Sequence, residues 1–341
     1  MNKKLLQKLA FILAVIFLIS FFVIYLTIDL DNIKKINIFK WEYLLFALGS
    51  LTIGLILDGT RLVHLVRVTD QQISPLEAMQ VVFSNYFLAL LTPGATGGAI
   101  AQVMFLKKAG VPVGKATVVV LVRTILSILF LITTIPFVLH YDNSLIPSLS
   151  KNTIYLFSST LVILAIISVL LMRTKYPEYF LVFFTKSLNR SLKRKIYFFY
   201  KEIKTATFLF FNKPLCIFRV YLESGLSLLF IYAVVPILFY GLDETINMFV
   251  TMGRMIILNL LLYFAPTPGG AGIAEGGFVM LFKPLLPIGT VGILAIVWRI
   301  MVEYLPFIIG AYFSIKTFGP DIVARISKKA IKIKNKGVSD I

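Results

Sequence analysis

The chain has 341 residues, 58% of them hydrophobic and only 15% charged, with a mean hydropathy of +0.90. Soluble domains run about 45–50% apolar and about 25% charged, so the bilayer is the solvent here. Disorder is excluded, and one cysteine with two histidines excludes a disulfide scaffold and the usual zinc ligand sets. The net charge of +18 fits either a polyanion-binding surface or the positive-inside bias of a polytopic protein.

A span needs about 20 apolar residues to cross about 30 Å of hydrocarbon. Residues 9–28 carry no charge and follow Lys3, Lys4 and Lys8. The stretch is too long for a signal peptide and lacks a small-residue cleavage site, so it predicts an uncleaved first helix with a cytoplasmic N-terminus. Residues 41–57 return to the cytoplasm and continue as a polar-faced helix through Arg67. There Asp58, Arg61, His64 and Arg67 recur every three residues, which reads as a snorkelling, solvated face ahead of a track for lipid headgroups. Residues 113–139, 153–172, 215–240 and 288–315 are four further expected spans.

Two stretches differ. Residues 75–91 run into Thr92, Pro93, Gly94, Gly97 and Gly98, then a short helix to Lys107. Residues 245–265 run into Thr267, Pro268, Gly269, Gly270 and Gly272, then a short helix to Lys283. Eleven residues rise only about 16 Å as a helix. Each pair therefore predicts a re-entrant hairpin with a Pro/Gly tip at mid-depth, buried in protein or lining a cavity; the alternative is a loop between two ordinary spans.

Six spans plus two hairpins place 25 of the 34 Lys/Arg on cytoplasmic segments, five outside and four (Arg123, Arg219, Arg254 and Arg299) within apolar stretches. That asymmetry is positive-inside sorting, so nucleic acid is not an expected partner. The segment 173–214, rich in Phe, Tyr and Lys, reads as amphipathic helices on the inner leaflet, with protein docking as the second reading. A basic cytoplasmic tail, 319–341, ends the chain.

The tips repeat. Thr92-Pro93-Gly94 matches Thr267-Pro268-Gly269 at an offset of 175, and so does Gly97 with Gly272. One residue of slippage pairs Asn85 with Asn259 and Arg123 with Arg299. Halves 41–140 and 215–318, with hairpins 75–107 and 245–283, are separated by an odd number of spans and so face opposite ways. Inverted repeats with broken helices mark secondary transporters. The returning half-helices begin at the tips, where free N–H groups and the positive dipole end suit a phosphate. The fold expected is an all-α polytopic membrane protein with six transmembrane helices and two opposed hairpins in an inverted repeat.

The second tip, Pro266-Thr267-Pro268-Gly269-Gly270-Ala271-Gly272-Ile273-Ala274-Glu275, resembles the PxPGGxGxxE motif of the lysylphosphatidylglycerol synthase transmembrane (flippase-like) family, to which the lipid-flipping domain of the multiple peptide resistance factor belongs. The first tip's double glycine and Arg123 also match. Ala99 stands where relatives often carry an acid, and Val122-Arg123 where they often show Glu-Arg, which puts the first half-site in question. The resemblance implies a lipid-handling protein of a prokaryotic cytoplasmic membrane; the charge asymmetry places both termini inside.

A charge at a helix centre costs about 2.5–3.5 kcal/mol on insertion scales. Arg123, Arg254 and Arg299 therefore require a polar interior. Arg299 with Glu303, and Arg219 with Glu223, are i,i+4 pairs. They read either as structural ion pairs or, with Glu275 near the second tip, as parts of a site that holds a lipid phosphate bidentately. Asn85 and Asn259 complete the candidate set. No catalytic triad, nucleotide loop, metal or cofactor site is legible. The expected function is translocation of a phospholipid, glycolipid or other modified lipid between leaflets. The alternative is a non-transporting lipid-binding subunit that positions or regulates a lipid-modifying transferase. Association of copies stays open.

Overall fold

The computed structural model describes residues 40–318, apart from Pro93, 143–144, scattered positions within 146–173, Ser187, 243–246 and 287–289. The expected spans 9–28 and 153–172 and the basic tail fall wholly or largely outside the described residues. All regular elements described are helices.

The first, α1 (Trp41–Val68), is followed by α2 (Pro75–Leu90). Ser74 caps α2: its Oγ accepts the Glu77 N–H, and Glu77 Oε2 accepts the Ser74 N–H at 2.7 Å, with Pro75 at the first helical position. Then come α3 (Thr96–Lys108) and α4 (Val113–Tyr141). Two helices, α5 (Tyr176–Thr185) and the basic α6 (Arg190–Asn212), precede α7 (Pro214–Tyr232), which is offset at Ala233 from α8 (Val234–Gly241). The chain continues through α9 (Met248–Leu262), α10 (Ile273–Phe282) and α11 (Thr290–Arg299). Beyond α11 a π-helical turn, Ile300–Tyr304, leads into a helix that runs to Phe318. Pro306 has no N–H and its ring crowds the carbonyl four residues back. The wider turn, with the Leu305 N–H reaching Ile300 O, takes up that conflict.

Among the described residues, Trp41–Val68, Val113–Tyr141, Pro214–Gly241 and Thr290–Phe318 are long and apolar enough to cross a membrane. These are four of the six expected spans. The paired helices α2/α3 and α9/α10 are shorter. At 1.5 Å per residue even the 16-residue α2 extends only about 24 Å, and α10 about 15 Å.

Small residues let the long helices approach closely. Gly54 of α1 lies against Ile231 of α7; Ser227 Oγ donates to Gly54 O at 2.9 Å and Ser50 Oγ to Phe230 O at 2.7 Å. Neighbours in sequence pack on one another along both stretches: α1 on α2, α2 on α3, α3 on α4, and α8 on α9, α9 on α10, α10 on α11. Leu62, Val119, Leu126, Leu238, Phe278 and Trp298 fill the core between them.

Two sets of contacts mark the ends of the bundle. At one, Lys115 Nζ donates to Thr69 O at 2.7 Å and Lys213 Nζ to Val68 O at 2.9 Å, gathering the end of α1 with the starts of α4 and α7. At the other, the Lys40 N–H meets Gly241 O at 3.0 Å, and Arg254 of α9 joins Asp142, just past α4, to Leu281 O near the end of α10. The hairpin tips meet between these ends. Leu90 packs with Ala271, Tyr304 and Phe307, and a Cβ placed on Gly94 would stand 4.0 Å from Ala265 O.

The helix after the π turn crosses α2 at Gly310, where an added Cβ would overlap the Phe83 carbonyl; the ring pairs Phe83–Phe313 and Phe87–Phe307 flank the crossing. Gly310→Leu therefore overpacks a backbone contact that no rotamer relieves. It should cost at least about 1–3 kcal/mol and lower the unfolding midpoint of the purified protein. Gly49→Ala, with nothing within 4 Å of the new Cβ, should leave it unchanged or raise it slightly.

Candidate functional site

Asp58 sits about two-thirds of the way along α1 and, like Arg61, is only 4% exposed. Arg61 Nε donates to Asp58 Oδ1 at 2.6 Å, and Arg123 Nη2 of α4 donates to Asp58 Oδ2. Arg61 Nη1 continues to Ser127 Oγ at 3.0 Å. From Arg123, Nη1 reaches Gln102 Oε1 of α3 at 2.7 Å, and Gln102 Nε2 reaches Asn85 Oδ1 of α2 at 2.8 Å. One chain of polar contacts thus ties α1, α4 and both helices of the first hairpin. It has two guanidiniums and one carboxylate, and Arg123 Nε is buried with no hydrogen-bond partner.

This overturns the solvated-face reading of Asp58 and Arg61. Those two point into the bundle, and only Arg67 of the four is exposed. The i,i+3 spacing of an acid and a base in an apolar helix was a usable signal, since such a pair can be buried together. Gln102 and Ser127 gave none. The offset of 176 that separates Arg123 from Arg299 also separates Ala99 from Glu275. In the first half the carboxylate comes from α1 instead.

In the second half Arg299 of α11 is 1% exposed and Glu275 of α10 is fully buried. Arg299 Nε donates to Glu275 Oε1 at 3.0 Å and Nη2 to Gly269 O at 2.5 Å; Glu275 Oε2 takes the Gly272 N–H at 2.7 Å. Glu303 stands 3.5 Å from Arg299 Nη1, with its side chain 25% exposed. This half has one guanidinium and two carboxylates. Tyr86 of α2 lies within electrostatic range of both Asp58 and Glu303.

The tips themselves differ from expectation. At each tip a side chain takes one donor: Thr92 Oγ1 accepts the Gly97 N–H at 2.8 Å, as Glu275 does for Gly272. Gly98 packs on Asn85, and Gly269 on Leu90, too closely for a side chain. Gly94, Gly269, Gly270 and Gly272 have positive φ. Thr267 Oγ1 is buried without a hydrogen bond, Pro268 lies in the same turn, and Pro93 is outside the described residues.

Other candidates sit elsewhere. Arg254 is held by Asp142 at 2.6 Å, near the bundle end and away from the tip, since Leu281 lies six residues beyond Glu275 on α10. Asn259 Nδ2 donates to Met255 O of its own helix at 2.9 Å. Arg219 is 65% exposed and bridges to Glu223 at 2.9 Å, while His64 Nδ1 pairs with Glu223 at 2.8 Å. That group staples α1 to α7 at the periphery. Among the described residues no three His, Cys, Asp or Glu side chains gather to hold a metal. Outside the bundle, Tyr176, Tyr179, Phe180 and Phe183 of α5 are exposed. Lys204 of α6 donates to Glu178 of α5 at 2.5 Å, a bond that raises the ammonium's pKa above its ordinary value.

Two comparisons bear on this arrangement. A family model described as the lysylphosphatidylglycerol synthase TM region matches residues 8–310. A UPF0104 membrane protein of Archaeoglobus fulgidus is 22% identical over 287 residues, covering 82% of this chain and 87% of that protein.

Asp58→Asn leaves two buried guanidiniums without their anion. It should destabilise the protein by about 3–5 kcal/mol, read as a large drop in the unfolding midpoint in detergent. Arg219→Ala removes a solvent-facing charge and should cost at most about 1 kcal/mol. Equal losses in the two variants would contradict the burial pattern.

Proposed function

The chain belongs to the lysylphosphatidylglycerol synthase TM region family, and from that premise we propose that it moves a phospholipid or modified lipid between the leaflets of a prokaryotic cytoplasmic membrane. The observation that carries the proposal is the first-half cluster. Two buried guanidiniums share one carboxylate beside a hairpin tip, and Arg123 Nε has no partner. Excess positive charge in hydrocarbon is costly. A phosphate that enters between the halves relieves it, and the planar fork of an arginine suits a phosphate's oxygens.

Transport further needs a site that opens to either side. The α2/α3 helices adjoin the bundle end tied by Lys115 and Lys213, and the α9/α10 helices adjoin the end tied by Arg254. Their tips touch in between. This supports reading them as opposed re-entrant hairpins of an inverted repeat. Rocking one half against the other then exposes the central cluster alternately to the two leaflets. Helices α5 and α6, with exposed aromatics and basic residues, lie on the inner leaflet in this reading and attract anionic lipid. Neither the family description nor the relative's name indicates a catalytic activity.

The test is reconstitution into vesicles of total lipid extract from the native membrane. Wild-type protein should move headgroup-labelled lipid without ATP. Arg123→Lys, which keeps the charge but loses the fork, should slow that movement at unchanged expression, while Gly49→Ala should not. Binding without movement of any lipid, under proton and sodium gradients alike, would favour the regulatory-subunit reading. For orientation, cysteines at 143 and 243 on a Cys216→Ser background should react with an impermeant reagent from outside, and one at Asn189 should not. Labelling of Asn189 alone would reverse the topology.

A further inference from the structure

The two buried clusters carry opposite imbalances. The first has one more guanidinium than carboxylates. The second has one more carboxylate than guanidiniums, and the surplus resides on Glu303. Glu275 receives both a short contact from Arg299 and the Gly272 N–H, so its two oxygens are satisfied. Among the described residues Glu303 has the 3.5 Å approach of Arg299 Nη1 as its ion pair, which is too long for a good hydrogen bond, and Nη1 itself is buried with no hydrogen-bond partner. Glu303 also sits in the π-helical turn, a local backbone arrangement that recurs at functional sites. It is the one carboxylate of the second cluster with part of its surface open.

Resting on the translocation reading, we propose that Glu303 is a proton-binding site whose loading couples lipid movement to the proton gradient. Facing it are Arg299 from its own helix, Glu275 from α10 and Tyr86 from α2. Helix α1, which also touches the π turn, brings Asp58 within range of Tyr86, and α8 carries Tyr240 as its titratable residue. A sodium ion fits this place poorly. It needs several oxygen ligands and would stand beside a buried guanidinium, whereas a proton needs one carboxylate oxygen. On the acidic side Glu303 takes a proton from hydronium, leaves water, and becomes a neutral acid. Arg299 then keeps Glu275 as its only anion and the cluster is neutral. When the site opens to the other side, the proton passes to water and the carboxylate returns.

Trp298 provides a reporter that needs no lipid movement. Its ring is buried against Phe278 at 5.1 Å with the Arg299 guanidinium 5.9 Å away, and the chain's only other tryptophan, Trp41, is exposed. In a Trp41→Phe background, Trp298 emission followed from about pH 4 to 9 should show one titration, lost on adding Glu303→Gln. No titration, or one that survives Glu303→Gln unchanged, overturns the proposal. Should Glu303→Gln fail to fold, Glu303→Asp must shift the midpoint, and an identical midpoint overturns it equally. In vesicles, a pH gradient should speed net lipid movement by wild-type protein. Lipid movement indifferent to the gradient refutes the coupling and leaves translocation standing. A clean titration with no movement of any lipid refutes translocation and leaves the proton site.

Discussion

Arginine in hydrocarbon is tolerable only when its charge is met, and the rest of this structure follows from where the partners come from. Arg123 draws its carboxylate from α1, its amide from α3 and, through Gln102, a contact from α2. The first hairpin is thereby tied to two long helices by its interior, without relying on apolar contact alone. That matters in a bilayer, where lipid tails are as apolar as leucine and burial of apolar surface gives helices little reason to associate. Arg299 does the same for the second hairpin through Glu275 and the Gly269 carbonyl. Breaking such a pair leaves an uncompensated charge, so each cluster holds the position of a tip as well as its own geometry.

The division of labour among the charged residues follows depth. Lys115 and Lys213 at one bundle end cap backbone carbonyls and gather helix termini. Arg254 and Asp142 clamp the opposite end. Arg219, Glu223 and His64 form a partly solvated staple between α1 and α7. Among the described residues, Asp58, Arg61, Arg123, Glu275, Arg299 and Glu303 are the charged groups that gather behind the tips. Asp58 of one cluster and Glu303 of the other both lie within electrostatic range of Tyr86.

Backbone freedom and side-chain size decide how closely the elements come together. Gly98 against Asn85 and Gly269 against Leu90 bring the hairpin helices and the tips into contact that a Cβ would prevent. Gly54 does so for α1 and α7, and Gly310 for the last helix over α2. Close packing without interlocking side chains permits small sliding motions better than ridged aromatic surfaces do, and the aromatic pairs here flank the Gly310 crossing without entering it.

Composition, apolar run length and the repeated tip were enough, from the sequence alone, to identify a helical membrane protein and to locate the four described spans and both pairs of short helices. Those properties are local: about 20 apolar residues or a Pro-Gly break carry their meaning wherever they occur. The residues that complete the charge clusters were a different matter. Asp58 and Arg61 looked like the wet end of a long helix, because helical spacing tells which residues share a face and not what that face meets. Arg254 stood with Arg123 and Arg299 as an arginine in need of a polar interior, and Asp142, more than a hundred residues away in sequence, holds it near a bundle end. Glycine-rich tips suggested open N–H groups, yet Thr92 and Glu275 occupy Gly97 and Gly272. Which acid meets which arginine depends on how distant helices pack, and only the tertiary structure decided that.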